Sequence, residues 1–174
     1  MSSVIISGDT SGAITLSAPA VAGTNTATLP SATGTVMVSG NMPAFSAYQS
    51  SAQTLSSNTA TKIQFQTKEF DTALAFDSTT NYRFTPLVAG YYQVTGGISV
   101  GTTQSPVTII FYKNGSAFKY VNQMGTSGSG FGSALIYLNG TTDYVELYGN
   151  LAIGQVLGAG ASLTYFQASM VRAA

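Results

Sequence analysis

The chain has 174 residues and a mass of 17.9 kDa, a length typical of one domain with room for a short appended segment. Charged residues make up only 7% of it, and six basic residues balance six acidic ones without any run of like charge. This pattern excludes an electrostatic footprint for nucleic acid or an anionic membrane. The absence of cysteine and histidine excludes thiol nucleophiles, disulfides, imidazole-bound metals and most hydrolase triads.

The neutral composition also bears on association and location. Net charge near zero does little to keep molecules apart, so we expect part of the surface to be buried between subunits. The start of the chain lacks the basic and apolar pattern of a secretory signal. The longest apolar runs, around residues 107–112 and 134–138, are far below the ~20 residues that cross a bilayer. We therefore expect a protein made in the cytoplasm, with no signal peptide and no membrane insertion.

Residues 1–40 form a first segment that contains small residues and threonine almost exclusively. Glycine and proline separate four short strand-like pieces: Val4–Ile6, Ala13–Leu16, Thr26–Leu29 and Thr35–Val38. All 19 tyrosines and phenylalanines lie from Phe45 onward, so the segment cannot form its own core as a monomer. It needs either neighbouring copies or a docking surface, and a flexible tail is the alternative.

The stretch from Gly12 to Val36 (GAITLSAPAVAGTNTATLPSATGTV) resembles segments common in tail-fibre and other structural proteins of tailed bacteriophages. In such proteins the segment belongs to a stalk or attachment region. The resemblance implies that residues 1–40 attach the protein to other virion proteins and that the protein is located in a virion.

From residue 41 onward, short alternating runs separated by Gly, Asn, Ser and Pro predict an all-β sandwich or barrel. Two Asn-Gly pairs lie between apolar runs, and Asn-Gly favours the positive φ angles of a tight turn. The pair Asn114-Gly115 therefore predicts an antiparallel hairpin. The pair Asn139-Gly140 is followed by three more polar residues, which predicts a longer turn. Both pairs also match glycosylation sequons, but turn chemistry explains them fully.

The segment Phe84–Val100 predicts a central strand and its entry. Side chains alternate from Tyr92 to Val100 in period two, which directs one face into the core. Pro86 lacks an amide donor and therefore belongs just before the strand, outside a central ladder. Gly90 fits a bend or a close backbone approach. We expect all of these to be folding residues.

The order of residues around this strand resembles the signature of the complement-type globular head, the trimeric jelly roll shared with tumour necrosis factor. The residues that carry this fold signature are Phe70, Phe76, Phe84, Pro86, Gly90, Tyr92, Asp143, Val145 and Phe166. The resemblance covers residues 41–174, although Val94 and Gly96 stand where the family has aromatic residues. It implies a ten-stranded-type antiparallel jelly-roll sandwich that forms a homotrimer and serves as a binding module without an active site.

Three patterns in the sequence are candidate catalytic sites. The motif Ser116-Ala-Phe-Lys119 matches the Ser-x-x-Lys of serine acyl enzymes, but strand alternation just beyond a turn sends the two side chains to opposite faces. Two carboxylate pairs are candidates for glycan hydrolysis: Asp71 with Asp77, and Asp143 with Glu146. Each pair sits among turn residues that we expect to be solvated. We predict no enzyme, no cofactor and no metal site, while calcium at loop carboxylates, which some family members bind, stays open.

Two stretches rich in small residues, 124–132 (MGTSGSGFG) and 150–161 (NLAIGQVLGAGA), are candidate contact loops. We expect them to be too small for the core, and loops on a rigid sandwich commonly carry recognition. Exposed rings and amides there would suit a sugar. The candidate contact residues are Met124, Ser127, Ser129, Phe131, Asn150 and Gln155. Alternatively, these stretches are passive connectors or subunit contacts.

These observations predict a bacteriophage virion structural protein. It would be a trimeric fibre, knob or capsid-decorating spike that presents a jelly-roll head for adhesion to a host glycan or receptor, or for stabilisation of the particle. One alternative is a soluble complement-head-type ligand or lectin of cellular origin. Another is a spike enzyme that degrades polysaccharide.

Overall fold

The computed structural model describes residues 3–28, 31, 33–34, 36–38, 40, 42–100, 106–123 and 128–174. In these ranges all extended regular structure is β, arranged in fifteen strands, and no helix has the length and apolar character needed to span a bilayer. The chain divides into two compact units, Met1–Gly34 and Thr35–Ala174. An attachment segment that ends at residue 40 stays a prediction.

The first unit contains one antiparallel pair, formed by β1 (Ser3–Ser7) and β2 (Ala13–Ser17). The backbone N–H of Gly8 donates to the carbonyl of Gly12 over 2.9 Å and closes the connection between them. The other two predicted pieces are wrong where the structure describes them, since residues 26–28 and 36–38 form no strand. Alternation alone does not make a strand when no neighbour completes its hydrogen-bond ladder. Leu29 and Thr35 lie outside the described residues.

The second unit is a sandwich of two antiparallel sheets. Its strands are β3 (Ala44–Tyr48), β4 (Thr54–Leu55), β5 (Thr61–Lys62), β6 (Thr67–Asp71), β7 (Phe76–Asp77), β8 (Arg83–Phe84), β9 (Gly90–Ser99), β10 (Val107–Lys113), β11 (Ser116–Gln123), β12 (Ser129–Leu138), β13 (Val145–Leu151), β14 (Gln155–Val156) and β15 (Tyr165–Ala173). The front sheet has the order β12-β9-β15-β3-β6. The back sheet has the order β11-β10-β13-β8-β7, with β5 also paired to β13, and β4 pairs separately with β14. The predicted antiparallel jelly roll is confirmed.

A stack of phenylalanines fills the centre of the core between the sheets. The ring of Phe45 stacks on Phe76 and Phe84 at centroid distances of 4.5 and 4.6 Å, and it meets Phe166 edge-on at 5.1 Å. All four side chains are at most 3% exposed. Stacked and edge-on aromatic pairs contribute beyond the area that they bury, so these four side chains tie together strands from both sheets.

The central strand β9 follows the predicted alternation. Tyr92, Val94 and Ile98 are buried in the core, and the hydroxyl of Tyr92 donates to the carbonyl of Val88 over 2.7 Å. That bond provides the buried hydroxyl with a hydrogen-bond partner in place of water. Burial raises the pKa of this hydroxyl above its ordinary value. Glycine is required at position 96 because Leu147 of the back sheet occupies the space that a Cβ would need.

The entry to β9 is also as predicted. Pro86 is buried, and it lies in the connection between β8 and β9, outside both strands. A Cβ on Gly90 would collide with the carbonyl oxygen of Arg172 on β15, so the close backbone approach is confirmed. Val145 is fully buried. Phe70 differs from the other signature residues because its side chain is 50% exposed, outside the core.

Both Asn-Gly pairs form turns. Asn114 and Gly115 have φ angles of 54° and 78°, and the strands on either side of them pair antiparallel, which confirms the predicted hairpin. The pair Asn139-Gly140 starts a longer connection, from Leu138 on the front sheet to Val145 on the back sheet.

Asp143 joins these two turns. Its carboxylate accepts a hydrogen bond from the side chain of Asn114 at 2.7 Å and from the backbone N–H of Asn139 at 3.1 Å, and it pairs with Lys113 at 2.9 Å. The hydrogen bond from Asn114, followed by Lys113, holds the pKa of Asp143 below its usual value. The expectation of solvated carboxylates is wrong here, since Asp143 and Glu146 are 8% and 3% exposed.

We expect the substitution Asp143→Asn to lower the free energy of unfolding at pH 7 by about 1.5–3 kcal/mol, the usual range for hydrogen bonds to a charged group. Because the folded-state pKa is lowered, this stabilisation is present above the unfolded-state pKa of about 3.9 and is lost as the pH falls through the folded-state pKa. Urea unfolding at pH 7 and pH 3 measures both effects. The exposed Asp9→Asn serves as the control, and a loss that does not shrink at pH 3 would contradict the assignment.

Candidate interaction surface

The predicted contact residues do not form one loop cluster. Met124 and Ser127 lie outside the described residues. The other four belong to strands: Ser129 and Phe131 to β12, Asn150 to β13 and Gln155 to β14. The loop assignment is wrong for these four because tertiary pairing overrides the low strand propensity of glycine. Strand β12 pairs with β9 from Ser129 to Leu138 without interruption.

The stretch 150–161 also contributes to the core. Leu151 and Leu157 are buried in the main hydrophobic cluster, so the expectation that this stretch is too small for the core is wrong at these two positions. Leu157 is anchored by its backbone N–H, which donates to the carbonyl of Gln53 over 2.9 Å.

The outward side of the front sheet, here called the front face, presents three rows of side chains across four strands. The first row runs Phe131, Gly97, Tyr165, Tyr48. The second runs Ser133, Thr95, Gln167, Ser46, and the third runs Leu135, Gln93, Ser169, Ala44. Below them Tyr137 lies opposite Tyr91, with ring centroids 5.5 Å apart. The front face therefore has large apolar side chains at both ends and small polar ones in the middle.

The front face is poor in charge, and the apolar side chains at its two ends are exposed. Phe131 is 74% exposed, and Leu135, Tyr137 and Tyr91 are between 40% and 53% exposed. The outward side chains of β12 and β9, and those of β15 as far as Val171, are all uncharged. Soluble monomers rarely expose contiguous apolar patches larger than a few hundred Å² unless the patch is an interaction site. The exposed apolar side chains at its two ends are therefore candidates for an interaction site.

A hollow of about 230 Å³ lies in the middle of the front face. Its lining includes Thr95 and Gln167 of the second row and Gln93 and Ser169 of the third, together with Phe70. The half-exposed position of Phe70 is thus part of the wall of the hollow. Beside it, the ring of Tyr165 covers Gly97 so closely that a Cβ there would lie 2.5 Å from the ring. The front face consequently carries both projecting rings and a space that a side chain can enter.

The outward side of the back sheet has a different character. Lys62 pairs with Glu146 at 2.6 Å, and the guanidinium of Arg83 lies 4.2 Å from the ring centroid of Tyr144. Tyr112 stacks on Tyr148 at 3.7 Å. Burial, followed by the nearby Glu146, raises the pKa of Tyr148. This part of the back sheet carries paired charges that can remain in water, and the rings of Phe118 and Tyr120 on its edge strand β11 are 46% and 70% exposed.

Asp71 and Asp77, two of the candidate catalytic carboxylates, stabilise turns. Asp71 accepts hydrogen bonds from the backbone N–H groups of Ala75 and Phe76, each at 3.0 Å. Asp77 accepts backbone hydrogen bonds from Thr80 and Thr79, which lower its pKa far below the usual value. In the part of the chain that the structure describes, no group of three or more acidic residues could hold a metal ion. The absence of catalysis stays a prediction.

The two sheets and the order of their strands form a jelly roll, the fold that solved tumour necrosis factor and complement structures share. No family model and no curated protein matches the chain. Among solved structures, it is similar to the globular domain of zebrafish complement 1qA, with 18% identity, a TM-score of 0.53, and coverage of 76% of this chain and 98% of that one.

Two further solved structures share the fold. Eiger TNF from S. frugiperda has 11% identity and a TM-score of 0.56, with 76% of this chain and 93% of that one covered. The vertex protein P5 of PRD1 has 13% identity and a TM-score of 0.54, with 76% and 98% covered. At these identities the likeness shows the fold alone.

Proposed function

We propose that the chain is a structural protein of a bacteriophage virion. It forms a homotrimeric fibre, knob or capsid-decorating spike, and its jelly-roll head adheres to a host surface or stabilises the particle. The observation that carries the proposal is the exposed front face, which is poor in charge: the carboxylate of Glu69, which accepts a hydrogen bond from Ser46 over 2.6 Å, lies only at its β6 edge. A second copy of the chain is the partner that matches it in composition.

The front face has the asymmetry that a three-fold assembly requires. In a ring of three copies each interface is heterologous, so that one patch on a subunit meets a different patch on its neighbour. Phe131, Leu135 and Tyr137 project along the edge strand β12, whereas the hollow lies further across the sheet. In the proposed trimer, the β12 edge of each copy packs against the hollow of the next. The charged back sheet then faces outward.

The virion role rests on two supports. The stretch from Gly12 to Val36 resembles attachment segments of phage structural proteins, and a protein with the same fold is the vertex protein of PRD1. Three copies of a weak site gain avidity when they engage one surface together. Of the contact residues, Asn150 and Gln155 remain candidates for host contact, while Phe131 is assigned to the subunit interface.

A deletion of residues 1–34 tests the two halves of the proposal. The cut follows the boundary between the compact units and keeps Met37, which packs against the core of the head. Light scattering after size exclusion should give about three times 17.9 kDa for the full chain, and a trimer of the shortened chain. In electron micrographs, particles should carry the C-terminally labelled full chain but not the shortened one. A monomeric full chain would refute the trimer, and unlabelled particles would refute the virion role.

A soluble ligand of cellular origin is the second candidate, because the fold is shared with complement and tumour necrosis factor proteins. The position of the gene discriminates between the two. A gene next to capsid or tail genes supports the virion protein, and a gene in a cellular context supports the ligand.

A further inference from the structure

The hairpin of the first unit has one entirely aliphatic face. Val4 lies opposite Leu16, and Ile6 lies opposite Ile14, so all four side chains project from the same side of the strand pair. Each is between 55% and 67% exposed. The other side carries Ile5 opposite Thr15, with serine and alanine pairs around it. The four residues on the first side are called the aliphatic face below.

An isolated two-stranded hairpin is marginally stable in water and needs further strands or a packing surface. Each strand here has only five residues, and no aromatic ring precedes Phe45 in the chain. The aliphatic face is therefore the larger apolar surface through which burial can stabilise this hairpin. It has to be covered when the protein is assembled.

Charge and composition favour a second copy as the cover. Asp9 is the only ionisable side chain in residues 1–40, and it lies in the turn between the strands. With no lysine or arginine, the segment has no attraction for anionic lipid head groups, and with no tyrosine or tryptophan it has no interfacial anchor. A charged protein partner would have only Asp9, in the turn, to pair with. The same aliphatic face on another copy complements it without an unpaired charge.

The area of the aliphatic face is too small for the hairpins to associate unless the heads already hold the chains together. Four aliphatic side chains at this exposure offer roughly 400 Å² per copy, about half of the ~800 Å² per partner in a standard interface. The hairpins alone are thus too small to hold copies together. Once a trimeric head joins three chains, the effective concentration of the hairpins rises into the mM range and the contact becomes favourable.

We propose that the aliphatic faces of three copies pack against one another and form the apolar core of a stalk. This inference rests on the proposed trimer. It assigns Val4, Ile6, Ile14 and Leu16 to subunit contact, so that attachment to other virion proteins uses the remaining surface of residues 1–40.

Cysteine substitution tests the proposal cleanly because the chain has no cysteine of its own. Ile6→Cys places a thiol on the aliphatic face, and its matched control Ile5→Cys places one on the opposite side of the same strand. After mild oxidation with copper phenanthroline, we expect Ile6→Cys to give covalent dimers in up to two thirds of the chains, since three thiols make one disulfide. We expect Ile5→Cys to stay monomeric on a non-reducing gel.

Each outcome is decisive when the mass in solution is measured on the same samples. Cross-linking at residue 6 but not at residue 5, in a trimer, supports the stalk. Equal cross-linking at both positions, or none at residue 6 in an intact trimer, overturns the stalk but leaves the trimer standing. Flotation of the full chain with phosphatidylcholine vesicles, lost in Ile6→Thr, overturns it in favour of lipid. A monomer overturns both proposals.

Discussion

The substitution Phe45→Ala is expected to lower the free energy of unfolding by about 3–5 kcal/mol, the range measured for large aromatic residues removed from cores. Phe45 is 1% exposed, and its ring contacts the rings of Phe76, Phe84 and Phe166. These partners come from different strands, so the cavity cannot collapse by moving a single side chain. Because native proteins are stable by only about 5–15 kcal/mol, the loss is a large fraction of the total.

Urea unfolding followed by circular dichroism, at one fixed protein concentration, measures this loss. The matched control is Phe118→Ala on β11, whose ring is 46% exposed. It lies 5.6 Å from Lys119 Nζ, a contact worth about 0.5–1 kcal/mol at an exposed site. Equal losses in the two variants would show that the phenylalanine stack does not form the centre of the core.

The sequence predicted the framework around β9 because local chemistry decides it. The Asn-Gly pair at residues 114–115 requires positive φ angles, and Pro86 cannot donate in a ladder, so turn and strand entry follow from single residues. The resemblance to the complement-type head added the order of strands. Neither required knowledge of distant contacts.

The parts that sequence reasoning missed depend on distant partners. Strand β12 starts at Ser129 in a glycine-rich run, and only its pairing with β9 makes that run extended. Asp143 and Glu146 are buried because Lys113 and Lys62 reach them from other strands. The front face depends on the same distant pairing, because its rows of side chains form only where β12 lies beside β9.

Placing a charge in the middle of the front face is expected to dissociate the trimer. Thr95 lies in the second row, next to Gln167 and Ser133 and on the lining of the hollow. In the proposed interface, Thr95→Glu would bury a carboxylate with no cation among the neighbouring rows. An unpaired buried charge costs several kcal/mol, each trimer contains three of them, and every 1.4 kcal/mol is a factor of ten in affinity. The variant should therefore be a folded monomer of 17.9 kDa at micromolar concentration.

Thr108→Glu is the matched control for this dissociation. Thr108 is also half-buried, but it points outward from β10 on the back sheet, where charges already occur and water remains in contact in the proposed trimer. The mass of the Thr108→Glu variant by light scattering should stay three times that of the chain. Thr95→Val should also stay trimeric, because it adds no charge. If Thr95→Glu remains trimeric, the interface lies elsewhere. If Thr108→Glu dissociates as well, the effect of the charge is not specific to the front face, and the assignment of the interface to that face is wrong.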